Sequence, residues 1–156
     1  MKLSDSFKPT PQSILKNLVL VLHDDQQGFR KAAEDVNDPG LKDVFTRLSV
    51  QRSQFASALE RKLLALGGDG LQNEGTFSGK LHRGWMDVKA AVTGHDTHAI
   101  LVEAERGEDA AVETYQDALD DDNLPPTLRA TIERQAQQVK LAHDELKHLR
   151  DISKKS

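Results

Sequence analysis

Four stretches of this 156-residue chain place apolar side chains at alternating spacings of three and four. That repeat gives a helix one buried stripe. The first stripe runs Leu15, Leu18, Leu22, Phe29, Ala32, Val36, and the second Leu41, Phe45, Leu48, Phe55, Leu59, Leu66. The third holds Leu101, Ala104, Ala111, Tyr115 and Ala118, and the fourth Leu128, Ile132, Val139, Ala142, Leu146 and Leu149. Four such stripes find cover against one another, so the spacing predicts an all-α, four-helix bundle with a single core. With aromatic residues at only 4%, Leu, Ala and Val must fill that core.

Breakers mark the ends of these stretches. Thr10-Pro11 opens the first helix, which runs to about Val36, and Asn37-Asp38-Pro39-Gly40 reads as a compact turn. The second helix spans about Leu41 to Leu66 and stops at Gly67-Gly68. Asp96 is the expected N-cap of the third, which continues to about Leu119, and Pro125-Pro126 opens a fourth that reaches about Ile152. Short connections make helices 1 and 2, and helices 3 and 4, antiparallel hairpins. Between the hairpins lies a longer segment, Gly67 to His95, with its own helical stretch from about Ser78 to Val92. This predicts a long crossover carrying a short fifth helix, with helix 3 parallel to helix 2, inside one domain over 1–156 whose ends, 1–10 and 153–156, are flexible.

Each main stripe is interrupted by a polar residue: Asp25, Arg52, Glu108 and Gln135. Lys62 also falls on a stripe, close enough to a helix end to reach water. Charges at such positions are costly unless paired. Arg52 between Asp25 and Glu108 is expected to make bidentate contacts to both, leaving one negative charge for Gln135, His143 or water to solvate. The leading reading is a buried ion network that fixes helix register. The other is a metal site.

Chemistry sets the terms for that second reading. Di-iron bundles use a Glu from each of two helices and a Glu-x-x-His from each of the other two. Helix 2 has no histidine, its acids Asp43 and Glu60 lie near its ends, and Gln51-Arg52 stands where ligands are needed. Glu145-Leu146-Lys147-His148 has the spacing, but Leu146 and Leu149 take the inward face. A complete di-iron site is not encoded. The alternative is one iron or other divalent cation held by Asp25, Glu105, Glu108 and His143.

Other functions find little support. A net charge of −4 gives nucleic acid no basic face, and the absence of Cys removes thiolate chemistry. No apolar run approaches the ~20 residues that span a bilayer and no signal peptide is visible, so the expected location is cytoplasmic, without membrane partners. No nucleophile–base pair or phosphate loop appears, and the reading leans away from an enzyme. His82, Arg83 and Trp85 on the crossover helix are the candidate interface, for a homodimer or another protein partner.

Several motifs together resemble a bacterial ferritin-like family of four-helix-bundle proteins of unknown function. They are Asp25 to Phe29 with Ala32-Ala33-Glu34, Gln51-Arg52 with Phe55, and Gly79 to Trp85. Glu105-Arg106-Gly107-Glu108-Asp109 with Tyr115, His143-Asp144 and Leu149-Arg150 extend the likeness over Ile14 to Asp151. The resemblance implies a ferritin-like fold, remote kinship to bacterioferritins and rubrerythrins, and a role in stress physiology, with no established reaction. Members of that family often carry Glu where this chain has Gln51. The combined expectation is a stress-associated, non-enzymatic binding or assembly module, with no cofactor.

Overall fold

The structure, a computed structural model, describes residues 10–67 and 96–153. All four elements among them are helices: α1 Pro11–Asp35, α2 Pro39–Ala65, α3 Thr97–Leu119 and α4 Pro126–Ser153. The expected fifth helix, the residues His82, Arg83 and Trp85 on it, His95, and nearly all of both chain ends lie outside the described residues.

Local chemistry accounts for the helix boundaries. The Thr10 hydroxyl accepts from the Ser13 amide at 3.1 Å, while the Ser13 hydroxyl accepts from the Thr10 amide at 2.9 Å. Two donors with no partner inside the helix are thereby satisfied ahead of Pro11. Helix α2 begins at Pro39, two residues before the expected Leu41. Asp38 is its cap, accepting from the Gly40 amide at 2.7 Å and the Leu41 amide at 3.2 Å. Part of the expected turn is therefore cap and first turn. Gly67 ends α2 with φ 82°, a left-handed conformation that glycine adopts without a Cβ penalty. Asp96 caps α3 as expected, accepting from the Ala99 amide at 3.2 Å. From the first turn of α4, Arg129 reaches back to the Leu119 carbonyl at 2.7 Å, closing the end of α3.

Two apolar clusters fill the interior. One joins Leu15, Leu18 and Leu22 of α1 to Leu59 and Leu63 of α2, Tyr115 of α3, and Leu128 and Ile132 of α4. The other joins Phe29 and Val36, Phe45 and Leu48, Ile100 and Leu101, and Leu146. In it Phe29 and Phe45 stack with ring centres 6.2 Å apart. The first cluster thus gathers the start of α1, the end of α2, the end of α3 and the start of α4. Both hairpins are antiparallel, and α2 runs parallel to α3. Contacts are extensive within each hairpin and between α1 and α3, whereas α2 meets α4 only briefly.

One stripe differs from expectation. Past Arg52, α2 buries Ala56, Leu59 and Leu63, while Phe55 and Lys62 are half-buried and Leu66 is 39% exposed. A straight helix turns every 3.6 residues, so a 3.5-residue repeat drifts off the buried face and a step of four restores it. No described helix is long and apolar enough to cross a membrane.

Candidate functional site

Between the two clusters the core turns polar. Asp25, Arg52 and Glu108 lie at mid-helix on α1, α2 and α3, with side chains 1%, 0% and 0% exposed. Arg52 grips Glu108 with two nitrogens: Nη1 contacts Oε1, and Nη2 donates to Oε2 at 2.7 Å. Nη1 also donates to Asp25 Oδ2 at 2.8 Å. The expected second bidentate contact, to Asp25, is absent for a geometric reason. The remaining two-nitrogen edge of the guanidinium is Nε with Nη2, whereas Asp25 lies at Nη1, and Nε donates to Gln51 Oε1 at 3.2 Å. Below the guanidinium lies the Phe29 ring, its centre 5.3 Å from Cζ.

The electrostatics follow from this arrangement. Burial alone would lower the Arg52 pKa; the charge and hydrogen bonds of Glu108, with Asp25 behind them, outweigh it and raise it further. The guanidinium is a permanent cation at neutral pH. With both carboxylates ionised, the trio carries one net negative charge.

Gln135 on α4, 5% exposed, completes the layer without reaching that trio through any of its described hydrogen bonds. Its Oε1 accepts from the Tyr115 hydroxyl at 2.8 Å, and its Nε2 donates to the Phe55 carbonyl at 3.4 Å. Burial, the largest influence, raises the Tyr115 pKa; Arg52 opposes and the two carboxylates reinforce the shift.

His143 and Glu105 belong to a separate place, the outer edge where α3 meets α4. His143 Nε2 is 2.6 Å from Asp109 Oδ1 and 3.7 Å from Glu105 Oε1, and its Nδ1 is 3.4 Å from Asp144 Oδ1. Glu105 also takes Arg150 Nη1. The four residues named for a single cation are thus divided, Asp25 and Glu108 on Arg52, Glu105 and His143 outside. His148 is exposed. Among the described residues no group of three or more His, Asp or Glu is arranged to hold a metal ion. The donor set around Arg52 does not fit one either, because a fixed guanidinium already engages both carboxylates.

Tyr115, Phe29, Gln51 and Arg150 complete these two arrangements and were not assigned to them by sequence reasoning. One signal was available for Tyr115: a lone tyrosine on a buried stripe needs a partner for its hydroxyl. Chemically, the layer holds charge in place. Its cation cannot release a proton near neutral pH, and its phenol ionises only well above its ordinary range.

Over residues 11–121, more than half of the chain, the sequence matches a family described as "Domain of unknown function (DUF2383)". Among curated proteins none matches.

Proposed function

The chain belongs to the DUF2383 family, and from that premise we propose that it is a ferritin-like four-helix protein without a complete di-iron site, acting as a non-enzymatic binding or assembly module in stress physiology. One observation carries the absence of the metal pair: a fully buried Arg52 bridges Asp25 and Glu108 at mid-bundle. A permanent positive charge there does the electrostatic work that a metal would otherwise do between two carboxylates. The parallel course of α2 and α3, which puts the end of α2 and the start of α3 at opposite ends of the bundle, is what a ferritin-like topology with one crossover requires. The stress association rests on the motif resemblance alone, and the cytoplasmic location on the sequence reading.

Elemental analysis of protein purified from iron-supplemented cells tests this reading. The expected outcome is no stoichiometric metal; about two irons per chain with ferroxidase turnover would overturn it. The alternative, an iron-binding protein or oxidase using Asp25, Glu105, Glu108 and His143, draws support from the closeness of His143 to Glu105 and Asp109. It requires that Glu108→Ala abolish metal uptake while helical content is kept.

A further inference from the structure

The four helix neighbours are not joined equally. Along α1 and α3 the packing is closed: Val21 is 2% exposed, Ile100 1% and Ala104 0%, and Gly28 and Gly107 are buried. The α2–α4 side is the opposite. On α4, Leu141 is 60% exposed and Gln138 and Arg134 are exposed near it. Two polar contacts cross this side among the described residues, an Arg47–Glu145 ion pair at 2.9 Å and a long hydrogen bond of 3.4 Å from the Gln135 amide to the Phe55 carbonyl. The ion pair is surface-exposed, with side chains 56% and 40% accessible, and such pairs hold little.

The polar layer is divided along the same line. Asp25, Gln51 and Arg52 belong to the α1–α2 hairpin; Glu108, Tyr115 and Gln135 belong to the α3–α4 hairpin. Between them, the fully buried polar link among the described residues is Arg52–Glu108. Gln51, half-buried, sits at the solvent side of that link with its amide oxygen on Arg52 Nε.

We infer that the hairpins hinge about the α1–α3 contact and part along the α2–α4 seam, with Arg52–Glu108 as the latch whose release admits water to the polar layer. The inference does not depend on the functional reading above. Sub-global openings of this kind occur where apolar contacts are few and polar contacts face solvent. The layer then has a door on one side and a wall on the other.

The chain contains no cysteine, so a single introduced thiol reports opening at one place. Ala142→Cys and Ala104→Cys sit in the same apolar cluster at the same end of the molecule, 5% and 0% exposed, one on α4 and one on the closed side. Under native conditions a thiol reagent should modify position 142 at least ~10-fold faster than position 104, with a weaker dependence on denaturant. Equal rates, or faster reaction at 104, would overturn the inference. Adding Glu108→Gln to both proteins tests the latch: a pair broken in the open state requires both rates to rise by the same factor. An unchanged rate at 142 means that α4 loosens without the hairpins parting, and sinks the proposal.

Discussion

Glu105 and Glu108 stand one turn apart on α3, and each holds an arginine, yet the two pairs do different work. Glu108 and Arg52 are both 0% exposed, and the pair joins one hairpin to the other. Glu105 is 10% exposed and Arg150 29%, and that pair ties α3 to α4 within one hairpin. Arg150 also leans on Asp151 at 3.0 Å, the main cause of its raised pKa, and it keeps water as a substitute partner. Arg52 has no such substitute. The same two functional groups make a half-open pair in one turn and a fully buried one in the next, and desolvation decides what losing a partner costs.

The largest expected effect comes from removing the buried cation. Arg52→Met strands two carboxylates and should cost about 3–5 kcal/mol in chemical denaturation, whereas Arg150→Met, which leaves Glu105 beside His143, should cost clearly less. Similar losses in both variants would dissolve the comparison. Replacing the whole trio, as in Asp25→Leu with Arg52→Met and Glu108→Leu, should recover most of the lost stability, since no unpaired charge remains. If the triple variant is as unstable as Arg52→Met, packing shape rather than charge governs the layer.

A smaller effect sharpens the picture. Tyr115→Phe leaves the Gln135 carbonyl oxygen without its phenolic donor and should cost about 1 kcal/mol. Its pH signature is more telling. The folded phenol has a pKa above its ordinary 10.0, so on raising the pH the unfolded chain ionises first. This group's contribution is constant below about pH 10 and falls above it by up to about 1.4 kcal/mol per pH unit. As the chain has one tyrosine, phenolate absorbance reads this group alone, and it should rise together with loss of helix. The stability difference between wild type and Tyr115→Phe should shrink over that range; a difference independent of pH would contradict the burial argument. Added salt, the mildest perturbation, should weaken Arg150–Glu105 while leaving Arg52–Glu108 unaffected.

Much of this was legible from residue spacing. The four stripes place the helices to within a few residues, because burying a continuous apolar face is a local, periodic requirement. Asp25, Arg52, Glu108 and Gln135 stood out for the same reason, each breaking its stripe. What spacing does not encode is the register between helices that are distant in sequence. It did not reveal that Gln135 would bond Tyr115 rather than solvate the trio. Nor did it show that His143 would turn to Asp109, or that Gln51 would take the Arg52 Nε while Asp25 meets Nη1. The α2 stripe slipped past Arg52 for a related reason, since a step of three and a step of four look alike until a neighbouring helix selects one.

The parallel course of α2 and α3 has a consequence for how the chain assembles in time. Val36, Asn37 and Asp38 alone join α1 to α2, so that hairpin closes a small loop, whereas Arg52 and Glu108 are 56 positions apart. Loop-closure entropy orders these events, with the local hairpins early and their mutual docking late. The buried ion pair is therefore expected to form after the rate-limiting barrier. Weakening it should hasten unfolding severalfold while leaving the refolding rate almost untouched, so that it governs how long the native state lasts rather than how quickly it is reached.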